Sequence, residues 1–265
     1  CPEKCTFCTT PEMWGPKVRW RDTSHIIEEI KIAKEMNNIG EIQWEDDTIT
    51  ANRKKLLELC KELEKLGIPW CTPNGTKTNY HQSSGKQKEM YQSMADSGCY
   101  QITLACESGV QRVMDDIIGK KLKIEEIKPA IENAKEANMF VHTFWILGYP
   151  GENYEEMQKT IEIAKGSGAD SFSFAILSPL PGTPIYRQVV KENLWWPDRS
   201  INELMYRSSL IKVDGFSSPE EFESFVTSTN VECNLLLKKN NPKKRLSIYY
   251  TYRIQSVVKN PCTKN

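Results

Sequence analysis

Three cysteines stand close together in the segment Cys1-Pro2-Glu3-Lys4-Cys5-Thr6-Phe7-Cys8, in the spacing C-x3-C-x2-C. Three thiolates on one short loop can hold three corners of an iron–sulfur cubane, which normally takes four cysteines. A loop that supplies only three leaves one iron open, as catalytic metal sites keep an open position. The spacing therefore predicts a 4Fe-4S cluster that performs chemistry as well as storing an electron. Two other readings compete. A zinc ion would take these thiols and a distant fourth ligand, although zinc spacings usually pair two cysteines with a second pair. Alternatively, the thiols could close a disulfide. The remaining cysteines are Cys60, Cys71, Cys99, Cys106, Cys233 and Cys262, and none forms a second C-x2-C. Cys60 falls on the apolar face of an expected helix, and Cys99 and Cys106 bracket an expected strand, so they read as small buried hydrophobes.

A strand-then-helix rhythm follows the loop. Ile26, Ile27, Ile30, Ala33 and Met36 recur at helical spacing after the capping residues Asp22-Thr23-Ser24. Leu56, Leu57, Cys60, Leu63 and Leu66 form a second stripe that stops at Gly67. Further helices are expected over Lys88–Ser97, Ile124–Ala137 and Tyr154–Lys165, with another starting at Thr183-Pro184. Between them lie expected strands Glu41–Trp44, Ile68–Cys71, Tyr100–Cys106, Phe140–Ile146 and Ser171–Leu177. Units of about 30 residues read as βαβ repeats and a parallel sheet. A first strand is expected immediately before Cys1, giving six βα units. The architecture is then α/β, a partial TIM-like barrel, with a flat doubly wound sheet as the alternative. The barrel is expected over 1–195, where Trp195-Trp196-Pro197 ends its last helix. A small C-terminal segment follows over 196–265, with a short helix at Pro219–Thr227 and a basic, mobile linker at Lys238–Arg245.

In parallel α/β folds ligands gather at the carboxyl ends of the strands. Those ends carry Asp46 and Asp47, then Thr72, Pro73 and Asn74, then Glu107-Ser108-Gly109, then Leu147-Gly148-Tyr149-Pro150-Gly151-Glu152, then Ser178–Gly182. Singly, each has a plain structural reading. The aspartates could cap a turn, Glu107 could pair with a nearby lysine, and Glu152 could sit on a helix dipole. Together they form one rim beside the cysteine loop. Trp145, Tyr149 and Phe174 read as core before cavity lining, and His142 as a satisfied core histidine.

Cys1–Cys8 resembles the C-x3-C-x-aromatic-C motif of the radical S-adenosylmethionine (radical SAM) superfamily, and the resemblance runs over roughly residues 1–190. It implies a partial (β/α)6 barrel in which Cys1, Cys5 and Cys8 ligate a 4Fe-4S cluster and the open iron binds the amino and carboxylate groups of SAM. It implies cofactor-binding roles for Phe7 near adenine and for Asp46 and Asp47 at the SAM amino group, where the family more often has Gly-Gly-Glu. It further implies contacts from Glu107 and Ser108 to the ribose and from Gly148 near adenine; Asn74 joins this cofactor-binding group. The Asp-Asp pair, Glu-Ser-Gly, Gly-Tyr-Pro-Gly-Glu and Pro181-Gly182-Thr183-Pro184 look most like the cobalamin-binding branch. Members of that branch usually carry a cobalamin domain before the cysteine loop, and the chain starts at Cys1 without a Met, so it is expected to be an N-terminally truncated fragment. The expected activity is reductive cleavage of SAM to a 5′-deoxyadenosyl radical, followed by methylation or cyclisation of an unactivated carbon in a small-molecule substrate. The electron would come from a flavodoxin or ferredoxin. A tRNA methylthiotransferase-like enzyme and a non-catalytic module with a structural metal remain the alternatives.

Composition narrows the setting. The chain has 265 residues, 39% hydrophobic, and balances 35 basic against 35 acidic side chains. It offers no global positive field for nucleic acid or an anionic membrane, and no apolar run long enough to span a bilayer. Nine cysteines without a paired framework and no visible signal peptide suit the reducing cytoplasm.

Overall fold

The computed structural model describes residues 1–37, 39–205 and 207–240. Helices α1 (Thr10–Trp14) and α2 (Thr23–Asn37) follow the cysteine loop. Strands β1 (Ile42–Gln43), β2 (Trp70–Lys77), β3 (Cys99–Glu107), β4 (Phe140–Leu147) and β5 (Ser171–Ile176) then alternate with α3 (Arg53–Leu66), α4 (Gln87–Asp96), α5 (Ile124–Glu136) and α6 (Tyr154–Gly166). Helices α7 (Pro184–Lys191) and α8 (Pro219–Asn240) complete the described chain.

All five strands run parallel in the order β1-β2-β3-β4-β5. Right-handed crossovers between consecutive neighbours put every connecting helix on the same side of the sheet. A doubly wound sheet reverses its strand order at a switch point; this one does not, and its helices can be accommodated only if the sheet curls. The result is a half-barrel, with α2, α3, α4 and α5 touching in sequence around its outside. Each helix buries the stripe its spacing demands: Leu56, Leu59, Cys60 and Leu63 on α3, Met90, Tyr91 and Met94 on α4, Ile127, Ala130, Ile131 and Ala134 on α5, and Met157, Ile161 and Ala164 on α6. Burying one such side chain contributes about 1.5–3 kcal/mol. Caps set the boundaries: the Asn52 side chain accepts from Lys55 N at 3.2 Å, and Gly67 takes the left-handed conformation (φ 61°) that ends α3.

Several details differ from the sequence reading. Strand β2 continues past Cys71 to Lys77, because the ladder shifts register between Thr72 and Thr76. That irregularity accommodates Pro73, which has no N–H to donate. Met36, placed in the apolar stripe of α2, is exposed, and only Ile27 and Ile30 of that helix are buried. Helix α7 ends at Lys191, before the Trp-Trp-Pro sequence, and Trp195 instead bridges to Ile211. The short C-terminal helix is a long one of 22 residues that takes in Lys238–Asn240. The rest of the basic linker, and Cys262, lie outside the described residues.

Helix α8 is long because it covers the outer edge of β5. Asn230 Nδ2 donates to Phe174 O and its Oδ1 accepts from Phe174 N, both at 2.8 Å. One turn later Asn234 repeats the pattern on Phe172, at 2.9 Å to the carbonyl and 3.4 Å from the N–H. The two amides thus stand in for a neighbouring strand on an edge that would otherwise template aggregation. Asn234 is almost fully buried, so its removal strands a backbone donor and acceptor. Asn234→Ala should lower the unfolding free energy of the protein by about 1–3 kcal/mol, read from the midpoint of urea denaturation. A change below about 0.5 kcal/mol, the usual range for a surface substitution, would contradict this role.

Candidate active site at the barrel mouth

The cysteine loop is fastened at its centre. Thr6 N donates to Ile118 O at 3.0 Å, Thr6 Oγ1 donates to Ile117 O at 2.6 Å, and Ile185 N donates to Thr6 O at 3.1 Å. Ile117 and Ile118 close a π-helical turn, Val113–Ile118, a form frequent at functional sites. Gly119 follows with φ 69°, and a Cβ there would lie at ordinary contact distance, 3.9 Å, from Lys4 O and Thr6 Cγ2. Glu3 is held by Lys77 Nζ at 2.9 Å and by the Tyr80 hydroxyl at 3.1 Å. Cys1, Cys5 and Cys8 are half-buried, and all eight described cysteines are free thiols. Burial pushes the Cys5 thiol up to about 11; Lys120 opposes the rise, and Glu107, Cys8 and Glu3 add to it.

Glu107 ends β3 in the left-handed conformation (φ 64°), beside a register shift between Ala105 and Glu107. A non-glycine residue held there costs of order 1–3 kcal/mol and persists only when its surroundings fix it. Lys120 supplies that fixing. Its Nζ donates to Glu107 Oε1 at 2.8 Å and to Ala105 O at 2.6 Å, and its side chain is only 4% exposed. Burial alone would depress the Lys120 amine; Glu107, Cys5 and Cys106 reverse that, and the net shift is upward. The lysine pairing foreseen as the plain reading of Glu107 is therefore present, and it lies under the cysteine loop.

Phe7 meets the Tyr149 ring edge-on, with centroids 6.0 Å apart. Gly148 needs its glycine: φ is 85°, and a Cβ would sit 2.8 Å from the Phe222 ring of α8. Glu152 does not cap α6, a role taken by Asn153. Its Oε2 accepts from Gly148 N at 2.9 Å and from Tyr149 N at 3.1 Å, bracing the turn between them. Burial raises the Glu152 carboxyl to about 8, against those two N–H groups. Burial, then Glu107, Glu152 and Cys5, hold the Tyr149 phenol well above its ordinary value. The Tyr149 hydroxyl and Glu152 Oε1 are buried and have no hydrogen-bond partner among the described residues. Such orphaned atoms call for a ligand or ordered water.

The other expected residues scatter along the rim. Asp46 and Asp47 follow β1 and are exposed; Asp47 Oδ1 accepts from Thr10 Oγ1 at 3.3 Å, tying that corner to the segment after Cys8. Partial burial, then Asp47, raises the Asp46 carboxyl. Asn74 lies inside β2 and not at its end, with Nδ2 donating to Glu45 O at 2.7 Å. Ser108 turns away from the rim: its hydroxyl sits 3.3 Å from Thr160 Oγ1 of α6, and Gly109 packs against the same helix. Trp145, Tyr149 and Phe174 are buried as expected. His142 is a core histidine between Ser171 (2.7 Å) and Ser173 (2.9 Å), lowered to about 4 by burial. Sequence reasoning missed Lys120 and the Thr6 clasp, which depend on pairings across the fold.

Three half-buried free thiols on one short clasped loop give a soft donor set that suits an iron–sulfur cluster. Phe7, Tyr149 with its orphaned hydroxyl, and the Glu107, Asp46 and Asp47 carboxylates add an aromatic face and acceptors suited to a nucleoside bearing an ammonium group. No helix among the described residues is long and apolar enough to cross a membrane.

Comparison with known proteins gives the same outline. Residues 1–164 match the family model described as the radical SAM superfamily. The chain is 34% identical over 240 residues to cytidylyl-2-hydroxyethylphosphonate methyltransferase of Streptomyces wedmorensis, a match covering 88% of this chain and 44% of that protein. It therefore spans less than half the length of this relative. Among solved structures, the cobalamin-dependent SAM radical enzyme OxsB superposes with a TM-score of 0.65 at 13% identity, over 89% of this chain and 45% of that one. The radical SAM methyltransferase TsrM from Kitasatospora setae superposes with a TM-score of 0.63 at 14% identity, over 72% of this chain and 35% of that one.

Glu152 makes the brace of the rim pH-sensitive. Its folded value, about 8, stands above its ordinary 4.5, so between these the native state holds more protons than the unfolded chain. Stability attributable to this group is fully present below the lower value and is lost as pH rises through the window. Glu152→Gln keeps an oxygen for the Gly148 and Tyr149 N–H groups and removes the slope. In urea denaturation the variant should therefore gain on the parent from about pH 5 to about pH 8. A difference that stays flat with pH would refute the assignment.

Proposed function

This chain belongs to the radical SAM superfamily, and from that premise we propose that it is the catalytic barrel of a cobalamin-dependent radical SAM methyltransferase acting on an unactivated carbon of a small molecule. The observation that carries the reading is the three-cysteine loop clasped at the mouth of a half-barrel, beside buried groups that lack hydrogen-bond partners among the described residues. The likeness to a phosphonate methyltransferase over 88% of the chain supports methyl transfer over cyclisation.

In this proposal Cys1, Cys5 and Cys8 hold the 4Fe-4S cluster, whose chemistry when bound is one-electron reductive cleavage of SAM to a 5′-deoxyadenosyl radical. The chain's residues position and shield. Asp46 and Asp47 accept from the SAM ammonium. Glu107, held rigid by Lys120, accepts from a ribose hydroxyl. Phe7 and the Gly148–Tyr149 backbone flank the adenine, and the buried Tyr149 phenol stays protonated as a donor. Asn74 and Ser108 support the rim through the Glu45 carbonyl and α6. The barrel over 1–195, an accessory segment over 196–265 and a cobalamin domain preceding the barrel in the whole protein belong to the same proposal. So do a flavodoxin or ferredoxin as electron donor and a cytoplasmic setting.

Anaerobic reconstitution of the whole protein with iron and sulfide should give a brown centre that becomes EPR-active on reduction with dithionite. With dithionite and SAM it should release 5′-deoxyadenosine. Replacing any one of Cys1, Cys5 and Cys8 by alanine should abolish both signals, and a parent protein that takes up iron but leaves SAM intact would sink the proposal. Asp46→Asn with Asp47→Asn should weaken SAM binding roughly 10- to 100-fold, the value of a lost charge-assisted hydrogen bond, by calorimetry on the cluster-loaded protein.

A further inference from the structure

Lys120 appears in no motif singled out from the sequence, yet it is the one Lys or Arg among the described residues that is buried outright. A lone buried ammonium is costly and is retained where it has a specific partner or task. Its hydrogen-bond partners are the Glu107 carboxylate and the Ala105 carbonyl. Its position in the chain is equally constrained. The turn that presents it receives the two hydrogen bonds that Thr6 donates, at Ile117 and Ile118, and Gly119 lies near Lys4 and Thr6, the two neighbours of Cys5. One short segment therefore grips the cysteine loop at its centre and, directly after the turn bonded to Thr6, carries a buried positive charge.

The geometry points to Lys120 as a positioning residue that sets the reduction potential of a cluster held by Cys1, Cys5 and Cys8. Reduction adds one electron from a low-potential donor to the cluster and so adds one negative charge. A desolvated cation nearby, weakly screened by solvent, stabilises the reduced form and raises the potential. Glu107 works against it from the same pair. This role rests on the cluster reading above but is distinct from SAM contact, because it operates with SAM absent.

The test is a dye-mediated redox titration of the whole, cluster-loaded protein without SAM, followed by EPR. Lys120→Met should lower the reduced-to-oxidised ratio at a fixed potential about tenfold, which for a one-electron couple is about 59 mV. Lys120→Arg should stay near the parent. Glu107→Gln should shift the ratio the opposite way, because Lys120 then acts uncompensated. Opposite signs separate charge from loosened packing, which would move both variants together. If Lys120→Met does not fold, Glu107→Gln carries the test alone: a rise in the ratio supports the role, and no change or a fall overturns it. A folded Lys120→Met with the parent's potential overturns it while leaving the cluster reading intact. A parent protein that binds no cluster overturns both.

Discussion

Five parallel strands in chain order, with every crossover of one hand, leave the helices on one side of the sheet. That constraint makes the sheet curl and brings the carboxyl ends of its strands to one mouth. The segments after β1, β3 and β4 then stand around the cysteine loop although they are far apart in the chain. The edges complete the arrangement. At β5 the asparagine pair of α8 occupies the backbone groups a further strand would need. The curl therefore stops there, and the sheet remains a half-barrel.

Charge at the mouth is arranged in buried or half-buried pairs and braces. Glu107 is matched to Lys120, Glu3 to Lys77 and Tyr80, and Glu152 to two backbone N–H groups. In a low-dielectric setting each such group is worth more than in water, and costs more when left alone. This explains how a non-glycine residue can be held at positive φ at the end of β3. It also distinguishes the exposed aspartates after β1 from the carboxylates deeper in the mouth.

Much of this was legible in the sequence, and the reasons are local. The cysteine spacing, the helical stripes of α3 to α6 and caps such as Asn52 and Gly67 are encoded within a few residues of each other. The strand ends mattered because parallel topology turns them into a single rim. What escaped was non-local. Asn74 follows the expected strand Ile68–Cys71, whereas a register shift carries β2 on through it. The expected helix Pro219–Thr227 covers only the first part of α8. Asn230 and Asn234 look like surface positions until β5 is known to lie beneath them. Ser108 was grouped with the rim by adjacency to Glu107, although its hydroxyl faces Thr160, 52 residues later. Lys120 sits in the basic run Lys120-Lys121-Lys123, where nothing in the spacing separates the buried lysine from its solvated neighbours.

The clasp on Thr6 has a consequence for biosynthesis. The carbonyls that hold the loop belong to Ile117 and Ile118, 111 and 112 residues later, and the N–H that secures its other side belongs to Ile185. The cysteines leave the ribosome well before any of these partners. Contacts of such sequence separation form late, after the intervening loops have closed. Until those partners are made, the three thiols sit on an untethered segment open to oxidation and stray metals. Iron loading into a preorganised cradle has to wait until nearly all of the barrel has been made.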